Sequence, residues 1–106
     1  MAVKLDLKGE VLTAYLEGEI DHHSARKIRS EIDLAVEKYM PSMLVLDFFD
    51  VTFMDSSGIG LVMGRYKLLK KSKAELYISN TPSSIYKVMK LAGIERLAKI
   101  DKGCAK

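Results

Sequence analysis

The sequence of 106 residues predicts one α/β domain: a mixed β-sheet that opens with an N-terminal hairpin and carries helices packed mainly on one face. Three observations carry that expectation. Val3, Leu5 and Leu7 alternate with Lys4, Asp6 and Lys8, the period of a half-buried strand. Further on, strand-like runs alternate with stretches of helical period, and repeated strand–helix–strand units imply parallel strands joined by right-handed crossovers. Finally, Asp55-Ser56-Ser57-Gly58-Ile59-Gly60 separates an apolar run from a helical pattern, so a strand hands over to a helix with two hydroxyls at the handover.

Each element follows from its own residues. Gly9-Glu10 turns the chain into a second strand, Val11 to Leu16, closing the hairpin. Gly18-Glu19-Ile20-Asp21 breaks the pattern, and Asp21 or Ser24 can cap a helix from about Ala25 to Tyr39. Its expected buried stripe is Ala25, Ile28, Ile32, Ala35, Val36 and Tyr39, and Pro41-Ser42 ends it. Met43 to Leu46 lacks polar alternation and predicts a strand covered on both faces, with Asp47 to Met54 as a link. The second helix is expected from about Ser57 to Leu69. Gly58, Gly60 and Gly64 each weaken it by roughly 1 kcal/mol, which suggests close backbone approach or unusual dihedrals at its start. Ala74 to Ile78 is the next strand. Thr81 is the expected cap of a third helix with Pro82 at its first position, Ile85, Val88, Met89 and Ala92 toward the core, and Gly93 as its stop. Leu97 to Ile100 predicts a short last strand, and residues 101–106 a frayed tail.

Composition narrows the function classes. Apolar residues make up 48% and charged residues 29%, a soluble globular balance. No apolar run approaches the ~20 residues that cross a bilayer, and Met1-Ala2-Val3-Lys4-Leu5-Asp6 lacks a signal-peptide pattern. The expectation is a cytoplasmic protein without a membrane partner. Cys104 has no second cysteine to pair with and is expected to be an incidental free thiol. The net charge is +3, and Lys67, Lys70, Lys71 and Lys73 cluster, with Lys87 and Lys90 further on. Without an Arg-rich run or an aromatic–glycine RNA motif, this is expected to be a solvated face and not a nucleic-acid footprint. A mild positive field still favours encounter with an acidic protein partner.

The candidate chemistry is narrow. Neither Ser56 nor Ser57 has glycine two residues before and after it, so the nucleophile elbow of a hydrolase is missing. His22 and His23 are adjacent and unsupported by paired cysteines, a weak metal signal better explained by a loop or cap. The lysine and spacing of a phosphate-cradling loop are missing as well, so no cofactor is expected. What remains is a serine pair at a helix start, where unpartnered N–H groups favour negative charge. Helix capping and a regulatory phosphosite both stay open on the residues alone.

Two stretches go further. Gly18-Glu19-Ile20-Asp21-His22-His23-Ser24-Ala25 and Phe53-Met54-Asp55-Ser56-Ser57-Gly58-Ile59-Gly60, continuing to Gly64-Arg65-Tyr66-Lys67, resemble the anti-sigma factor antagonists of the STAS fold family. The paired histidines bring the sporulation sigma-F antagonists nearer than the general-stress ones. The resemblance runs from the hairpin to Gly93-Ile94 and implies a STAS-like single domain over residues 1–106. It implies an unphosphorylated form that binds an anti-sigma factor, itself a serine kinase, and frees a sigma factor. That kinase carries the ATP, phosphorylates Ser56 and so ends binding, and a serine phosphatase reverses the mark. On this resemblance Asp21, His22, His23, Asp55, Ser56, Ser57, Gly58 and Gly60 form the partner face. The chain is then substrate and ligand, not an enzyme. The alternative is a non-switching module of the same fold in a scaffold or transport complex.

Overall fold

Five strands form one sheet in the order of the chain in this computed structural model, which describes residues 3–102. They are β1 (Val3–Lys8), β2 (Val11–Ile20), β3 (Met43–Met54), β4 (Glu75–Thr81) and β5 (Lys99–Lys102). β1 pairs antiparallel with β2, and β2 to β5 are parallel. The connections are α1 (His22–Tyr39), α2 (Ser56–Lys70) and α3 (Ser83–Leu91), the last followed by a 3-10 turn, Ile94–Arg96. Crossovers of one hand between sequence-adjacent parallel strands put every helix on the same side of the sheet. Leu12, Ala14 and Leu16, Leu44 and Leu46, and Leu76 and Ile78 are buried beneath them, meeting Ile28 and Ile32 of α1, Leu61 and Val62 of α2 and Met89 of α3. The fold class expected from the sequence is the one found.

Several details differ from expectation. β3 is not covered on both faces: Leu44 and Leu46 are buried, but Met43 and Val45 are half-buried, because the helices protect one side only. β2 and β3 also run further than expected, to Ile20 and Met54. Their register shifts twice, Tyr15 and Glu17 pairing with Asp47 and Asp50, then Gly18 and Glu19 with Val51 and Phe53. Each shift is a bulge on β3, and a bulge scrambles the two-residue alternation by which a strand is recognised.

Asp47 anchors the first bulge. It is only 7% exposed. Its Oδ1 accepts the Phe49 N–H at 2.9 Å, while Oδ2 accepts the Ser79 hydroxyl at 3.0 Å and the Asn80 side-chain amide at 2.8 Å. Asn80 itself holds a left-handed φ of 52°. One carboxylate thus ties the irregular half of β3 to the end of β4.

The helix ends move as well. α1 begins at His22, ahead of the expected Ala25, and Tyr39 is exposed instead of closing the buried stripe. Thr81 is no cap: it belongs to β4, 1% exposed, and its hydroxyl has no partner among the described residues. Pro82 takes the N-cap position without a side-chain hydrogen bond. α3 is short and buries Ile85 and Met89, one turn apart, so Val88 and Ala92 face water. Gly93, with φ 80°, ends this segment as expected, and Ile94 supplies the next buried side chain. β5 lies at Lys99–Lys102, shifted along from Leu97 to Ile100. Cys104 and the rest of the expected tail from residue 103 lie outside the described residues. Among the described residues no helix is long and apolar enough to cross a membrane.

Asp47→Ala removes a charged acceptor from three donors at once. It is expected to cost about 3 kcal/mol of stability in urea unfolding. Asp47→Asn, which can still accept, is expected to recover part of that loss.

Candidate functional site

Because β2 and β3 are parallel, their C-terminal ends lie side by side, with Ile20 opposite Met54. The next residue of each strand is an aspartate, and the Asp55 N–H donates to the Ile20 carbonyl at 3.2 Å. Asp21 is the N-cap of α1 and Asp55 the N-cap of α2. Two helix N-termini therefore open at one end of the sheet.

The caps are built differently. Asp21 forms a reciprocal box: its Oδ1 accepts the Ser24 N–H at 2.9 Å, and Ser24 Oγ accepts the Asp21 N–H at 2.9 Å. The Ser24 hydroxyl donates onward to the Glu19 carbonyl at 2.9 Å, fixing the turn out of β2. The Ser24 N–H, ahead of the other donors around it, holds the Asp21 carboxyl below its ordinary value. Asp55 caps more simply, its Oδ1 accepting the Ser57 N–H at 2.7 Å.

The cap of α2 is thus the aspartate and not a serine, and the helix starts at Ser56. Ser56 is exposed, and its hydroxyl makes no hydrogen bond among the described residues. Ser57 is half-buried. A Cβ on Gly58 would overlap the side chain of Met54, which is itself buried, so close approach applies there. It does not apply at Gly60 or Gly64, which have open space at the Cβ position and ordinary backbone angles.

His22, Ala25, Arg26 and Arg29 of α1 and Ser57, Gly60 and Leu61 of α2 line a cleft of about 430 Å³. The two histidines diverge: His22 lines this cleft, whereas His23 borders a second hollow on α1 with Lys27 and Glu31, and Arg26 and Arg29 stand between the two and line both. Their rings meet edge to face at 6.0 Å. Among the described residues no three His, Cys, Asp or Glu side chains gather as for a metal ion.

Sequence reasoning gave no role to Arg65 and Asp33, which brace the cleft. Arg65 is 5% exposed. Its Nε lies 2.8 Å from Asp33 Oδ1 but out of line for a hydrogen bond, so that contact is coulombic. Nη2 donates to Asp33 Oδ2 and Nη1 to the Leu61 carbonyl, both at 3.3 Å. Burial pulls the guanidinium's pKa below its ordinary value, with Asp33 opposing the shift and Arg29 adding to it. The guanidinium remains charged, since arginine ionises so readily. The available signal was an arginine inside an otherwise apolar helical pattern, but its partner lies on another helix.

The STAS domain model matches residues 2–105, and the chain belongs to that family. It is 28% identical over 100 residues to the anti-sigma F factor antagonist of Paenibacillus polymyxa, covering 94% of this chain and 86% of that protein. Among solved structures it is similar to the anti-sigma factor antagonist SpoIIAA in its unphosphorylated form, at TM-score 0.83 and 30% identity over 94% of this chain and 87% of that one. The phosphorylated form of the Bacillus cell fate determinant SpoIIAA superimposes at TM-score 0.76 with 31% identity, over 94% and 90% of the two chains.

Two tests follow from the site. Gly58→Ala is expected to destabilise the fold by about 1–3 kcal/mol through overpacking against Met54, whereas Gly60→Ala is expected to stabilise it by about 0.5–1 kcal/mol. Paired thermal melts check both. The Asp21 cap carries a sign as well. A carboxyl whose pKa is lower in the folded state stabilises fully above its unfolded pKa and loses that contribution as pH falls through the folded one. Asp21→Asn is therefore expected to flatten the stability curve below about pH 4, measured by unfolding across the acid range.

Proposed function

We propose that this chain is an anti-sigma factor antagonist working as a phosphorylation switch. Its unphosphorylated form binds an anti-sigma factor that is also a serine kinase, and so frees a sigma factor. The kinase, which brings the ATP, phosphorylates Ser56, and the complex separates. A serine phosphatase restores the first state. The carrying observation is Ser56 itself: an exposed hydroxyl with no hydrogen bond among the described residues, at the first position of α2 and between two aspartate-capped helix ends. The likeness to proteins named anti-sigma F factor antagonists supports the same reading. The partner face would comprise Asp21, His22, His23, Asp55, Ser57, Gly58 and Gly60 around Ser56. The chain acts in this scheme as substrate and ligand, with the catalytic groups on the kinase.

Charge explains why the mark reverses binding. Phosphate adds roughly −1.5 to −2 charges. Within the chain the α2 N-terminus offsets part of that, by about 0.3–1 kcal/mol. Across an interface, a partner carboxylate at ~6 Å with an effective dielectric of ~20 repels each added charge by about 2.8 kcal/mol. That is roughly a hundredfold in affinity per charge, before steric overlap. Release therefore needs no refolding of the antagonist.

Ser56→Ala is expected to abolish phosphorylation by the cognate kinase and to change stability by less than about 0.5 kcal/mol, because its hydroxyl caps nothing. Mass spectrometry after incubation with kinase and ATP checks the first part, and urea unfolding the second. Phosphorylation lost in Ser57→Ala but kept in Ser56→Ala would move the site. Equal affinity of both forms for the anti-sigma factor would end the switch.

A further inference from the structure

The charges in the first half of α1 run against what a helix on its own favours. Helix N-termini are stabilised by acidic side chains, and like charges one turn apart repel. Beyond the Asp21 cap, no acidic residue stands in the first turn of α1. Arg26 and Arg29 stand one turn apart on one stripe of the helix, with the His22 ring one turn before them. The stripe faces the first turns of α2, whose own N-terminus adds positive potential. Behind it lies buried Arg65, near enough to feel the charge of Arg29. The carboxylate of this seam, Asp33, is already paired with Arg65. Among the described residues neither Arg26 nor Arg29 is in an ion pair, and both are exposed. Gly60 leaves the opposite wall open, with no atom within 4 Å of where a Cβ would stand.

We infer that the α1–α2 cleft receives an acidic segment of the protein partner, whose carboxylates pair with Arg26 and Arg29 beside Ser57. That the partner is an anti-sigma factor rests on the reading above. At about 430 Å³ the cleft admits side chains, as small binding pockets do. Ser57 lines the cleft, and Ser56, the residue before it, stands exposed at its edge. A phosphate on Ser56 therefore repels the incoming carboxylates and competes with them for the same arginines. This gives the positive cleft a direct part in the switch.

The test uses the full chain, labelled with nitrogen-15, at low ionic strength. Hexaglutamate peptide is titrated in, with inorganic phosphate and hexalysine in parallel. Amide shifts are expected to gather at residues 22–29 and 57–61 with hexaglutamate and to be absent with hexalysine. The Arg26→Glu, Arg29→Glu double variant is expected to bind the peptide about tenfold more weakly. Its melting temperature is expected to stay close to that of the parent, since both side chains are exposed and in no ion pair among the described residues. Phosphorylation of Ser56 is expected to weaken peptide binding as well. Shifts that gather around Lys70, Lys73 and Lys99, or equal affinity in the double variant, overturn the inference. So does inorganic phosphate that binds as tightly as the peptide, which would make the cleft a small-anion site. Incubating the same samples with kinase and ATP separates the two readings. Phosphorylation of Ser56 without peptide in the cleft sinks only the cleft, whereas peptide in the cleft without phosphorylation sinks the switch and leaves an acidic-segment site.

Discussion

The register of β2 against β3 is the constraint on which the site depends. The two strands start level, with Val11 opposite Met43, and finish level, with Ile20 opposite Met54, although β2 has 10 residues and β3 has 12. The bulges absorb the difference. Without them the end of β3 would overshoot that of β2, and Asp55 would lose its hydrogen bond to the Ile20 carbonyl. The two aspartate caps, the two helix starts and the cleft between them all follow from that alignment. Asp47 belongs to the site in this indirect sense. It lies several residues from Ser56, yet by holding the first bulge it sets where β3 ends.

Electrostatics at that end are balanced by layers and not by pairs. Asp21 and Asp55 satisfy the backbone donors of their own helices, so their charge is largely committed to local hydrogen bonds. Outside them stand Arg26 and Arg29, which are in no ion pair among the described residues. A group arriving at Ser56 thus meets carboxylates on the strand side and cations on the helix side. Arg65 and Asp33 tie α1 to α2 behind this arrangement. At the far end of the sheet, Lys70, Lys73, Arg96 and Lys99 surround a larger hollow of about 860 Å³, but Glu75 and Glu95 share it and Lys70 already lies over the Tyr66 ring. Size alone does not mark a site.

What could be read from the sequence was whatever depends on short spacings. The β1–β2 hairpin, the order of strands and helices, the Asp21 cap and the exposed serine at the start of α2 all rest on neighbours within a few residues. What escaped rests on distant pairs. The second half of β3 looked like a link because its bulges break the alternation, and the first bulge is held through Asp47 by Ser79 and Asn80, more than thirty residues away. Arg65 gave a signal, a cation within an apolar stripe, but nothing local pointed to Asp33. Thr81 and Pro82 carried a good capping pattern that lost to β4, which kept Thr81 as its last buried residue. The resemblance to a known family supplied roles for the residues around Ser56, but it gave none to the arginines of α1.

Under the proposed switch, the two adjacent serines differ in what a phosphate would cost the fold. Both sit in the first turn of α2, within reach of the same helix-end potential. Ser57 gives its backbone N–H to the Asp55 cap and turns its side chain, half-buried, into the wall of the cleft. A bulky anion there would have to displace the packing between α1 and α2. Ser56 has no such ties: its hydroxyl is exposed and unbonded among the described residues, so modifying it breaks no native contact. A group that costs the fold little can carry a large change in interface potential, and under the proposed switch the free energy of the modification would be expressed in binding and not in unfolding. This asymmetry follows from Asp55. By capping α2 itself, the aspartate relieves the serine beside it of structural duty and leaves its hydroxyl exposed.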